Sequence, residues 1–582
     1  MKRRLLSAAG IVLLGSVAGF AAVALEQATK PKPELPTLLP EGALLSIEAR
    51  DFASLLHDWN TSEVKRVWLS GDNHAAFITS RLFGRLSQAQ DEFSAAAGLP
   101  TDDALLEQVA GEESCLGLYD IGNLEFVYVT RIDRQQIEKT SLWQTRGKFE
   151  QRTEAGTGFY VRKDADSSRT AAFAAVNGWL ILGTREDLVA GVLDRIAGTA
   201  AHSLADEGWY ADAIKQAAKG EADGARGDLH MVLNLNKIVP SPYFRTYWIQ
   251  NNITEMKQYT SAVSDLFRSA QSYREERVLV RRAALADTAQ GNATALAAMA
   301  PEDAAFYVAQ ATPDPESVLE SLRSNLLEMK TERLDSASSI APAETVAENA
   351  GSGSQLDVVI DRAPAAAPHV DAFQPLRILL HAQEPEGSLE VFTTRAVRDG
   401  VFVSLQTAMV VSSPHNWDES AVCMALTQAL LPGLTTAELG VHWEKRSNGA
   451  GDYLALDGAV PLFLKVNEGQ MLLSNDADLL EKLIARSKVN ATGDKAGVTY
   501  MAFFRHAQEQ NNFRLLMAQL DLSAHRNGAD QQAGSAEEHA PAFFSKNVAS
   551  LSRAFSKVAS ERVEEEARSD KVIQTVTYHW SR

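Results

Sequence analysis

Two stretches of this chain follow one plan, and that repetition limits its fold more than any other feature. Residues 171–176 form a short apolar run, and Asn177-Gly178 is the dipeptide that most readily takes the two φ > 0 positions of a type I′ turn. Residues 179–182 then return as the partner strand. Thr184 stands where a helix N-cap belongs, Asp187 holds the capping-box position, and Leu188, Val192 and Arg195 follow at helical spacing. Far downstream the device recurs. Residues 462–466 and 470–473 flank Asn467-Glu468-Gly469, Asn475 is the expected cap, Asp478 sits three residues on, and Leu479, Leu483 and Arg486 follow. Here Glu468 reads as an extra residue, which makes a three-residue loop.

Other landmarks repeat in the same order, and self-similarity of this kind outranks any local reading. Leu39-Pro40-Glu41-Gly42-Ala43 before a strand at 44–49 is answered by Ala300-Pro301-Glu302-Asp303-Ala304 before a strand at 305–309. A strand at 229–235, closely following Gly227, is answered by one at 498–503 after Gly497. Val263, Leu266, Phe267 and Ala270 make an amphipathic stripe, and Leu551, Ala554, Phe555 and Val558 make another. Arg274-Glu275-Glu276-Arg277 leads into a strand at 278–285, as the charged stretch 561–570 leads into a closing strand at 572–580. Between these landmarks, helical signals fall at 52–56, 64–69 and 75–97, and a strand pair at 115–119 and 125–131 turns at Gly122-Asn123.

The expected fold is α+β: two tandem, internally duplicated units, each a mainly antiparallel sheet packed with helices, after an N-terminal hydrophobic helix. The units span 39–290 and 297–582, with Ala/Ser/Pro-rich and polar insertions at 331–367 and 525–541 that read as loops. A chain of 582 residues is too long for a single core, which suits this division.

Lys2, Arg3 and Arg4 precede an uncharged run from Leu5 to Leu25, long enough as a helix to reach across about 30 Å of hydrocarbon. The preceding basic residues keep the amino terminus in the cytoplasm and send the rest outward. Ala22-Val23-Ala24 also fits a signal-peptidase site, so residues 1–25 are either a membrane anchor or a signal peptide cut before Leu25. Residues 26–38 form a Pro/Lys spacer that holds the folded part away from the membrane.

Taken together, the Leu-Pro-x-x-Ala opening with its strand, the helical stretch, the Asn-Gly hairpin with its helix, and the closing strand resemble the bacterial family catalogued as domain of unknown function 3352. That resemblance covers most of 39–582. It implies an exported or membrane-anchored protein of repeated α+β units without assigned chemistry, and it supplies no functional residues.

The sequence carries little local chemistry. Its twelve histidines form no His-Glu-x-x-His or Cys/His cluster, and no phosphate-binding glycine loop follows a strand, so no metal or cofactor is expected. Gly351-Ser352-Gly353-Ser354 lacks the flanking strand and helix of a nucleophile elbow. Two cysteines, Cys115 and Cys423, read as unbridged thiols in the core, with a bridge between the halves as the alternative. A formal charge of −19 argues against nucleic acid, which needs a basic face.

Three places bear weighing. Tyr243, Phe244, Tyr247 and Trp248 are either a partner-binding edge or one amphipathic turn packing its rings inward. His415-Asn416-Trp417-Asp418 reads as the cap of a following helix, and Glu564-Glu565-Glu566 as a solvated face before the last strand. The expected function is that of an exported, membrane-tethered, non-enzymatic binding or scaffolding protein of the cell envelope, with a partner there and no nucleic acid. Alternatives are an exported hydrolase with a dispersed site or a carrier of an apolar ligand.

Overall fold

The computed structural model describes residues 34–218, 226–242, 256–285, 291–327, 371–397, 402–430, 442–449, 451–457, 461–488, 497–506, 509 and 558–580. The leader, the aromatic cluster at Tyr243–Trp248 and both insertions lie outside these. Mixed helix and antiparallel strand make up the fold. Every pairing whose register is described is antiparallel, as local hairpin connections favour.

Two compact units divide the chain. One takes its described residues from Met1–Leu56, Ser87–Lys215 and Met231–Trp248, the other from His57–Leu86, Gln216–His230 and Ile249–Arg582. The first contains β1 (Leu45–Ala49), β2 (Ser114–Asp120), β3 (Glu125–Arg131), β4 (Glu150–Glu154), β5 (Thr157–Lys163), β6 (Thr170–Val176), β7 (Trp179–Gly183) and most of β8 (Leu229–Asn234). Their order is β4-β5-β6-β7-β3-β2-β1-β8. At the organising hairpin, Val176 pairs with Trp179, and Asn177 and Gly178 take φ of 50° and 78°. Helix α1 (Glu186–Ala197) follows, with Leu188, Val189, Val192 and Leu193 buried along one face against β6 and β7. Phe173 is the centre of the aromatic core, with Tyr160 stacked on it at 5.0 Å and Phe149 edge-on at 5.1 Å.

The second unit contains β9 (Tyr259–Arg268), β10 (Ser272–Arg281), β11 (Phe306–Ala311), β12 (Gly387–Val397), β13 (Phe402–Ser412), β14 (Glu444–Ser447), β15 (Asp452–Leu456), β16 (Leu462–Asn467), β17 (Gln470–Ser474), β18 (Tyr500–Phe504), β19 (Val558–Ala567) and β20 (Lys571–Trp580). They run β9-β10-β20-β19-β18-β11-β12-β13-β17-β16-β15-β14. The sequence boundary near residue 290 is thus not where the compact units part: β9 and β10 join the second unit because β10 pairs with β20.

Part of this sheet is covered on both faces, which explains why its strands are apolar without alternation. On one side Ala408, Val410, Phe463 and Leu472 meet Leu479, Leu480, Leu483 and Ile484 of α2 (Ala477–Ser487). On the other, Met409, Val411, Leu464 and Leu473 meet Leu376 and Leu380 of one helix and Val422 and Leu426 of another. Of the strands that end these two orders, β4 and β14 are charged and mostly exposed, which discourages edge-to-edge pairing with other chains.

Several local expectations are corrected. Neither Thr184 nor Asn475 caps its helix: the N-cap positions are Arg185, without a side-chain cap, and Asp476, whose carboxylate accepts from the Leu479 N–H. Asn467 pairs directly with Gln470, so the second hairpin also has a loop of two residues and Glu468 is not an insertion. The stripe around Val263 is strand β9, because pairing with β10 along its length overrides a short helical periodicity; its supposed counterpart, Leu551 to Phe555, lies outside the described residues. Arg274 to Arg277 lie within β10, and Glu564 to Glu566 lie within β19, where they alternate between sheet faces. The helical stretch 75–97 is two helices, Asp72–Phe77 and Arg81–Ala97. Cys115 and Cys423 are not bridged. No helix among the described residues is long and apolar enough to cross a membrane.

Candidate functional site

The start of α2 opens a cleft in the second unit. Asp476 fixes this corner by capping the helix, which places Asp478, Leu479 and Lys482 on its first two turns. Asp303 and Ala304 approach from the segment entering β11, Thr393, Thr394 and Arg395 from β12, and Gln406 from β13. Together they line a cavity of about 280 Å³.

Its charges answer one another. Lys482 bonds Asp303, and that bond holds the Asp303 carboxyl below the usual range. The Arg395 guanidinium stands 3.5 Å from Asp478, and the Gln406 amide donates to Asp476 at 2.7 Å. Behind the wall, Thr394 donates to the buried Glu509, whose carboxyl is pushed up by burial despite that bond. Fixed charges of both signs in a small concave space suit the holding of a polar ligand by exchange of these internal partners.

A second polar arrangement is buried. His230 Nδ1 lies 2.9 Å from Asp265 Oδ1, with side-chain exposures of 5% and 4%. The same carboxylate oxygen accepts from the Gly227 N–H at 2.8 Å. His230 Nε2 is shielded and has no hydrogen-bond partner among the described residues. A carboxylate that orients an imidazole is half of an acid–base device, but the distal nitrogen must reach a reacting group to serve as one.

Neither arrangement was legible as a motif. The cleft residues are spread from Asp303 to Lys482, and His230 and Asp265 stand 35 residues apart in sequence and meet only in the folded chain. Tyr243, Phe244, Tyr247 and Trp248 lie outside the described residues. In the stretch from His415 to Asp418, Trp417 is buried, and Asp418 accepts from the Ser420 N–H at the start of helix Glu419–Leu430. No group of three or more metal-ligating side chains occurs among the described residues.

No protein-family model matches the chain, and no curated protein does. Among solved structures, crystal forms I and III of TP0453 match it, each over 44% of this chain and over 82% and 84% of their own. Both are 8% identical, with TM-scores of 0.24 and 0.23, and a likeness that slight carries no argument about this chain.

Proposed function

We propose that this is an exported, membrane-tethered, non-enzymatic binding or scaffolding protein of the bacterial cell envelope, made by duplication of one α+β unit. The observation that carries the duplication is the order of strand pairing. Strands run β4-β5-β6-β7-β3-β2-β1-β8 in one set and β14-β15-β16-β17-β13-β12-β11-β18 in the other. Local bonds support it. Thr184 and Asn475 each exchange two bonds with a residue of the strand paired to their hairpin, Phe126 and Thr407 respectively.

Within this reading the two copies have diverged at one corner. Where Asp476 opens the second cleft, the first copy has Arg185, which bridges Asp187 and Glu125. A large cation fills the position in one copy, and a small carboxylate leaves it open in the other. The binding role therefore falls to the second copy, with the first as its framework.

The location rests on the leader, and the proposed ligand is an envelope component presenting polar or charged groups. The test is fractionation of cells making the full chain, with sequencing of the mature amino terminus and crosslinking of partners in intact cells. Release by detergent but not by carbonate, a start at or next to Met1, and recovery of an envelope partner are expected. A soluble exported protein beginning at Leu25 would overturn the tether.

A further inference from the structure

The strongest unexplained regularity is in the four-stranded ribbon β9-β10-β20-β19. Adding 299 to a residue number in β9 or β10 gives its place in β19 or β20: Tyr259 becomes Val558 and Arg281 becomes Trp580. Both hairpins carry the same bulge, since Tyr259 pairs with Arg281 just where Val558 pairs with Trp580, and Ser261 with Val280 where Ser560 pairs with His579. Their turns close alike, with Ser269 N–H donating to Ser272 at 2.9 Å and Arg568 N–H to Lys571 at 2.8 Å. Both hairpins are met by a preceding segment in one way. The Asp228 N–H donates to the Leu266 carbonyl while its carboxylate accepts from the Arg268 N–H, and the Thr499 N–H donates to the Glu565 carbonyl while its hydroxyl accepts from the Ala567 N–H.

The pairing between the hairpins has two-fold symmetry. In β10 and β20, Glu276 stands opposite Thr575, which is its own counterpart; Glu275 pairs with Val576 and Arg277 with Gln574, each the counterpart of the other's partner. At the two ends, Arg281 N–H donates to the carbonyl of Asp570, and Trp580 N–H to that of Gln271, both at 2.9 Å. Residue i meets j and j meets i, which is the signature of an isologous dimer interface. Nothing in the connectivity requires it: two sheets fused in tandem could meet through any pair of edges.

We infer that β10 and β20 are a self-complementary docking edge, through which each half of the chain holds the other as two copies of one protein hold together in a two-fold dimer. This rests on the duplication proposed above. The partner of each edge is a copy of itself, supplied here by the same chain, and the covalent connection between the halves is not needed to keep them together. Nine residue pairs carry the contact, as many as join β9 to β10 within their hairpin. Arg277 adds a side-chain bond across it, donating to Gln574 at 2.9 Å.

The test uses the full-length protein with a cleavable linker inserted at residues 286–290. After complete cleavage, shown on a denaturing gel, the two pieces should elute together at the mass of the uncut protein, and should do so in high salt. Gln574→Pro, which removes a backbone donor next to the centre of the pairing, should release them, whereas Lys445→Pro in the outermost β14 should not. Because Gln574→Pro could unfold the chain, two paired-cysteine variants provide a second measurement on uncut protein. They are Glu276→Cys with Thr575→Cys and Arg277→Cys with Gln574→Cys, since close and wide pairs alternate along an antiparallel ladder. One of them should oxidise to an intramolecular crosslink. Pieces that separate after cleavage, or failure of both crosslinks, would overturn the docking edge. Neither result would touch the duplication, which fails only if an experimental structure gives the halves different strand orders.

Discussion

The backbone N–H of Thr407 donates to the side-chain oxygen of Asn475 at 2.8 Å, so the residue that precedes a helix is spent on a strand. In the other hairpin Thr184 does the same for Phe126, its hydroxyl accepting at 2.8 Å. The polar residue after each hairpin thus pins the return strand to its neighbour, and capping falls to the next position.

This separates two substitutions that sequence alone would merge. Asp476→Ala removes the cap on Leu479 and should cost about 0.5–2 kcal/mol. Asn475→Ala should instead loosen β13, so hydrogen exchange should rise at Thr407 while the α2 amides stay protected. Amide exchange followed by mass spectrometry distinguishes the two patterns.

Gly178 has a φ of 78°, with open space where a Cβ would stand. The cost of a side chain there is therefore conformational, and Gly178→Val should lower stability by about 1–2 kcal/mol. Urea unfolding of the variant, with no change in its dependence on denaturant, is the expected outcome.

Phe173 is 1% exposed and meets three aromatic rings, those of Trp143, Phe149 and Tyr160. Truncation to Ala leaves a cavity that neighbouring rings cannot fill without leaving their rotamers, at a cost of about 3–5 kcal/mol. Calorimetry should find the first unit's transition lowered more than the second's.

Glu275 lies on the central ribbon. Burial pushes its carboxyl up, but two bonds from Arg277 and one from Ser264 outweigh burial and hold it below the usual range. A depressed folded pKa stabilises the protein above the ordinary glutamate value of about 4.3, and that contribution is lost as acid titrates the group through its lower folded value. Glu275→Gln should therefore be less stable than the parent at neutral pH and lose less stability on acidification. Urea midpoints measured from pH 7 to pH 3 check the sign.

Burial, with a smaller contribution from Glu419, pushes the Cys423 thiol up to about 11, and Cys115 is fully buried. At pH 8 hardly any thiolate is present at Cys423, and Cys115 is closed off from solvent. Iodoacetamide should modify neither residue rapidly in the folded protein and both after unfolding, read by mass spectrometry.

The sequence by itself determined the local devices. The Asn-Gly dipeptide between apolar runs fixed the first hairpin, because few residue pairs accept two positive φ values in succession. Asp51 and Asp102 begin helices in an equally local way, each accepting a backbone N–H three residues on. The spacing of Leu479 and Leu483 found the buried face of α2, since a helix writes its packing into its own periodicity. Tertiary structure alone decided what β9 and β19 are. Val263 and Phe267 suit a helix stripe, but a strand is stabilised by partners distant in sequence, and those partners are invisible locally. The counterparts in β9 and β19 share little beyond Ser261 and Ser560, yet their bulge and register agree. Backbone hydrogen bonds fix that geometry and tolerate most side chains, so the register persists while the letters drift. The cleft and the His230–Asp265 pair follow the same rule: their residues meet only after the sheet has brought distant strands together.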